Sequence, residues 1–222
     1  MGSEFLQKIT SHFSNEYKQR IGLSLDEEPA AIEKALSALI PSGLMAALHH
    51  PSDSRTSVSE LAASAAKYFP NYPDIENLHN EEAGSKIASD LLGKEHPGLI
   101  ASVAKFAGIK KESAGALIML VMPTLMHFLG THARDNNLDN EGIQNFLSSQ
   151  LNDIRSSVPS GFEPMVKDIE QNLASRKKEV VNAITTDSPR RTNKGWILPV
   201  ILAILAVLLL VYFSRGCNTW LK

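Results

Sequence analysis

Apolar residues return every third or fourth position through most of the first 185 residues, then fuse into one uncharged run over 196–213. The first stripe is Phe5, Ile9, Phe13, Tyr17 and Ile21, which predicts an amphipathic helix punctuated by Gly22. Asp26-Glu27-Glu28-Pro29 predicts a helix start, with acids near the positive end of the dipole and proline at the first helical position. Ile32, Ala35, Leu36, Leu39 and Ile40 then share a face. Pro41 interrupts and Leu44, Ala47 and Leu48 continue, so a kinked helix or a helix pair is expected. Shorter stripes follow over 58–69, over 81–92 before Gly93, and from Leu99 to a stop at Gly108. Residues 114–130 lack any Asp, Glu, Lys or Arg and contain Pro123. Their unbroken apolar stretch is shorter than the ~20 residues a membrane span needs, which predicts the central buried helix of a bundle. Asp139 or Asn140 is expected to cap a helix over 141–151, and a last helix is expected over 163–184. No period-two alternation appears, so the predicted fold is all-α, a helical bundle followed by one C-terminal transmembrane helix.

The run over 196–213 has no polar face for a globule to leave exposed. As a helix it would reach about 27 Å, close to the hydrocarbon thickness of a bilayer. Trp196 opens it, and Tyr212 and Phe213 close it, as in the aromatic belts of membrane helices. Pro199 falls in the first turn, where a missing N–H costs little. The expected organisation is a helical domain over 1–185, a basic linker over 186–195, the membrane helix, and a polar tail over 214–222.

Charge follows the same division. The whole chain carries −2, but residues 1–175 hold 14 Lys/Arg against 22 Asp/Glu, and residues 176–222 hold 8 against 2. Arg176, Lys177, Lys178, Arg190, Arg191 and Lys194 thus stand where anionic headgroups would be, and are expected to contact lipid. The acidic body argues against nucleic acid as a partner. Residues 1–8 have no signal-peptide core, and the basic flank before the run points the domain to the cytoplasmic side of a bacterial inner membrane. The single cysteine, Cys217, lies beyond the run and supports neither a disulfide framework nor a cysteine zinc site.

Two stretches resemble each other. Residues 28–48 centre on Pro41 and residues 110–129 on Pro123, each about twelve residues into an apolar helix and each followed by Leu-Met. Either two apolar helices coincide in composition or the domain holds two pseudo-repeated helical units, near 5–60 and 95–155. The segment Val121-Met122-Pro123-Thr124-Leu125-Met126-His127-Phe128-Leu129-Gly130, then Asn137-Leu138-Asp139-Asn140-Glu141-Gly142-Ile143, resembles the bacterial DUF937 family. The tail, with Trp196, Pro199, Tyr212, Phe213 and Cys217, is similar to members whose domain precedes a membrane helix. An OmpA-like peptidoglycan-binding domain often follows in those members. None stands in these 222 residues, so that role is not carried over. The resemblance implies no established activity and no catalytic residues.

Candidate chemistry is sparse. Asp135-x-Asn137-x-Asp139 starts like a calcium loop, but Asn140 and Phe146 stand where glycine and glutamate are required, so helix capping is the better reading. His127 and His132 are five apart, His49 and His50 sit in a turn, and His79 precedes two glutamates. None has metal-ligand spacing on one helical face. No phosphate loop, nucleophile elbow or His-Glu-x-x-His motif is present. The reading is therefore a membrane-anchored, non-catalytic interaction or scaffold module with no cofactor and no metal. Its expected partners are the lipid bilayer and an undefined protein, a second copy of the chain included. Two alternatives stand beside it: a membrane-active protein whose apolar central helix inserts, and an enzyme on a lipid or envelope substrate.

Overall fold

The computed structural model describes residues 4–51, 56–69, 71 and 81–172. They lie in one compact unit, Met1–Val180; the second unit, Val181–Lys222, holds no described residue. The predicted anchor residues Trp196, Pro199, Tyr212 and Phe213 and the predicted lipid contacts Arg176, Lys177, Lys178, Arg190, Arg191 and Lys194 all lie outside the described residues.

The described residues are helical and contain no strand. In order they form α1 (Glu4–His12), α2 (Asn15–Leu25), α3 (Pro29–His49), α4 (Val58–Tyr68), α5 (Glu81–Leu92), a 3-10 turn (Gly93–Glu95), α6 (His96–Ala107), α7 (Lys111–Asp135), α8 (Asn140–Ser149) and α9 (Leu151–Ser156). A further helix, α10, covers 163–172. Two expectations need correcting. The stripe from Phe5 to Ile21 is split, because Ser14 leaves helical geometry at ψ 164° and its hydroxyl accepts from Tyr17 N, capping α2. Likewise 141–151 is two helices, parted at Gln150. In contrast α3 and α7 run unbroken through Pro41 and Pro123. Each of these prolines is followed by a buried hydroxyl that turns back to the carbonyl four residues earlier. Ser42 Oγ donates to Ala38 O and Thr124 Oγ1 to Leu120 O, both at 2.7 Å.

That correspondence extends through the domain at a constant spacing of 82 residues. Asp26 and Gly108 both end a helix in left-handed geometry, at φ 53° and 76°. In the first, Glu27 N donates to Gly22 O. In the second, Ile109 N donates to Ala104 O. Ser57 caps α4 and Asp139 caps α8. Buried residues map likewise: Phe5, Ile9 and Ile21 onto Ile87, Leu91 and Val103, and Leu61 and Ala65 onto Ile143 and Leu147. Helices α1–α4 and α5–α8 are thus two copies of one pattern of helices, caps, prolines and buried positions.

The copies share one core. At their N-terminal turns Glu27 Oε1 accepts from Lys110 N at 2.9 Å and from Ser113 Oγ at 2.7 Å. Fifteen residues further along each helix, Gly43 faces Leu125, its own counterpart. A Cβ on Gly43 would stand 2.4 Å from Leu125 Cδ1. The N-terminal turns meet at the first place and equivalent positions at the second, so α3 and α7 lie side by side and run in the same direction for about 22 Å. Leu125 fills the space that Gly43 vacates, a one-sided solution to packing two equivalent helices. The fourth helix of each copy then crosses over. Helix α4 packs on α7, where Gly130 lets it approach Ala62, and α8 packs on α3, where Gln144 Nε2 donates to Ala47 O at 3.0 Å.

Candidate functional site

Helices α3 and α7 are both long and apolar enough to cross a membrane. Yet 72% and 67% of their most apolar windows are buried inside the body. Residues 38–47 and 120–126 are buried without interruption, because each helix is enclosed by its counterpart and by shorter amphipathic helices. The expectation of a central buried helix over 114–130 therefore holds, and α3 shares that role.

The histidines are dispersed. His50 is 3% exposed, and its Nε2 lies 2.8 Å from Thr56 O, across the α3–α4 turn. His49 Nε2 lies 3.6 Å from Glu170 Oε1, the carboxylate oxygen that also takes Arg155 Nη2 at 2.8 Å. Burial holds the pKa of His96 below the ordinary histidine value. Burial also lowers that of His127, against a backbone hydrogen bond to Phe69 that raises it. Among the described residues no group of three or more His, Cys, Asp or Glu side chains converges as a metal site. In the 135–139 loop, Asn136 Nδ2 donates to His132 O and Asp139 Oδ1 accepts from Gly142 N at 2.8 Å. These groups serve helix ends.

Among the described residues there are three surface grooves; one, of about 400 Å³, lies over Leu6, Ile40, Pro41 and Asp153, and the other two are counterparts. One of these two lies between α4 and α5, with a volume of about 560 Å³. Thr56, Glu60, Leu61, Ser64, Tyr68, Glu82, Ala83, Lys86, Ile87 and Asp90 line it. The other lies between α1 and α8, with a volume of about 380 Å³, lined by Glu4, Phe5, Lys8, Phe128, His132, Phe146 and Gln150. Lys86, Ile87, Asp90, Ser64 and Tyr68 stand 82 residues from Glu4, Phe5, Lys8, Phe146 and Gln150 respectively. The second groove is occupied by aromatic rings. Phe146 meets Phe5 edge-on at 5.0 Å and stacks on His132 at 3.9 Å between centroids. In the first groove Ser64 replaces Phe146 and Ile87 replaces Phe5, and the described residues leave the space open. Its lining carries Glu60, Glu82 and Asp90 against Lys86, whose Nζ lies 2.9 Å from Asp90 Oδ2.

The family of bacterial proteins of unknown function called DUF937 matches residues 7–132. The chain belongs to the DUF937 family. The match takes in both long apolar helices with their prolines and stops three residues before α7 ends. No curated protein and no solved structure matches the chain. Neither groove was legible in the sequence: α1 and α8 are distant in the chain, and the packing angle of the consecutive helices α4 and α5 leaves no local signal. The 82-residue offset between Ser64 and Phe146 was the one signal that could have linked them.

Proposed function

We propose that this DUF937 protein is a membrane-anchored, non-catalytic interaction module of the bacterial cell envelope. One observation carries the reading: the run over 196–213 is uncharged from end to end and follows a basic linker. The acidic body in front of it has its own shared core, so it can fold beside a bilayer without entering it. Tethering confines the body to a thin layer at the inner membrane and raises its effective concentration for partners there. The basic flank, Arg190, Arg191 and Lys194, supports a cytoplasmic body. Alkaline carbonate washing of membranes that carry the full chain tests the tether. Retention in the pellet is expected, and release of the intact chain would refute it.

The membrane-active alternative gains from the finding that two helices, not one, have the length and hydropathy of spans. The direction of those helices weighs against it. Two parallel spans require the connection between them to cross the bilayer. That connection carries Glu60, Lys67, Lys86, Asp90, Lys94 and Lys105. Each charged side chain costs about 3 kcal/mol at the bilayer centre. An antiparallel hairpin would avoid this. Leakage of dye from liposomes on adding the full chain would favour insertion; intact liposomes favour the tethered module.

A further inference from the structure

We infer that the groove between α4 and α5 is a docking site for an aromatic side chain carried beside a basic residue on a partner peptide. The inference concerns the folded body and does not depend on the membrane tether.

The duplicated architecture supplies an internal reference. The same pattern of helices, caps and buried positions occurs twice, and in one copy the groove is already filled. Phe146 lies against Phe5 and His132 there, and the remaining volume is about 380 Å³. In the other copy the ring position is held by Ser64, and about 560 Å³ is left above an apolar floor of Leu61, Ala83 and Ile87. A ring entering at Ser64 would lie over Ile87, where Phe146 lies against Phe5, with no imidazole beside it. The imidazole does not take that place. His132 has its counterpart in His50, and His50 is turned to Thr56 O instead.

Charge specifies the flank of the ring. Counting Glu60, Glu82, Asp90 and Lys86, the open groove carries −2, whereas Glu4 and Lys8 cancel in the filled one. Tyr68 stands at the rim with 47% of its surface exposed, and Lys67 Nζ already lies 5.6 Å from the centre of its ring. The rim therefore offers carboxylates and an aromatic face, both of which attract a cation. A partner with an acidic flank is disfavoured by the same charges, although Lys67 and Lys86 offset part of them.

The test is saturation-transfer NMR on the full chain in zwitterionic detergent micelles, with N-acetyl-Phe-Arg-amide as the probe and empty micelles as the blank. Binding is expected for this peptide and at least tenfold less for N-acetyl-Phe-Glu-amide. Ser64→Phe should weaken binding at least tenfold without lowering the melting temperature, because the ring it adds has a precedent at Phe146. Tyr68→Ala, on an exposed site that does not threaten folding, should weaken binding about fivefold, and Glu82→Gln about threefold. Equal binding by Ser64→Phe and Tyr68→Ala, equal binding of the acidic peptide, or no transfer at all would overturn the assignment. So would binding that emerges only after Tyr72→Ala, which would make the chain's own residues 72–80 the occupant. Dissociation of a dimer by the peptide would assign the groove to a second copy and overturn it equally.

Discussion

Helices α3 and α7 share a backbone and differ in how they solve the contact between them. Each starts from an extended residue, Glu28 or Lys110, each runs through a proline, and each turns a hydroxyl back one turn after it. At the contact itself one gives nothing and the other everything: Gly43 has no side chain and Leu125 occupies its space. Two equivalent helices in parallel contact cannot both present a leucine to the same point. The duplicated unit therefore keeps its backbone and divides its side-chain volume unequally. The grooves repeat the lesson at the surface, with Phe146 filling one and Ser64 leaving the other open.

The largest effect is expected where the division is sharpest. Leu125→Ala should cost about 3 kcal/mol in chemical denaturation, since the cavity opens at a fully buried site with a glycine opposite. Gly43→Ala should cost about 1 kcal/mol, the overpacking against the side-chain ends of Leu125 and Met122 being partly offset by alanine's helix propensity. If the two positions are true counterparts, Gly43→Ala and Leu125→Ala together should cost clearly less than the sum. Strict additivity would argue against their contact. Next come the helix starts. Ser57→Ala and Asp139→Ala should each cost about 1 kcal/mol, and matching values would support equivalent roles for the two caps.

The pH response is smaller and falls on the second copy. His96 and His127 have folded values lowered mainly by burial, so the unfolded chain binds protons more readily than the native state. Their contribution is present above the ordinary histidine value of about 6.5 and is lost as pH falls below it. Denaturation midpoints should therefore drop as pH falls below about 6.5, and His127→Asn should flatten that slope. A midpoint that rises on acidification would contradict the burial of these rings. The smallest effect is expected at Asp26, which holds left-handed geometry where its counterpart is Gly108. Asp26→Gly should be tolerated with little change in melting temperature. Gly108→Ala should cost about 1 kcal/mol.

Periodicity and proline position made the helices and the likeness of α3 to α7 readable in advance, because both are local. Ser14 was missed as a break because the stripe from Phe13 to Tyr17 keeps its four-residue spacing across it. Both rings belong to the core and stack at 5.8 Å. The clamp of Glu27 on Lys110 and Ser113 spans more than eighty residues, and neither end carries a motif. The shared direction of α3 and α7 was equally hidden. Hydropathy counts apolar residues in a helix but does not say whether lipid or a twin helix receives them.

Cleavage between body and tail tests this division most directly. A site-specific protease sequence placed within 186–195 of the membrane-bound full chain should, on cutting, release a helical body into the supernatant and leave the tail in the pellet. A body that stays with the membrane after cleavage and salt washing would show α3 or α7 in lipid rather than against each other, and would contradict a core shared between two copies.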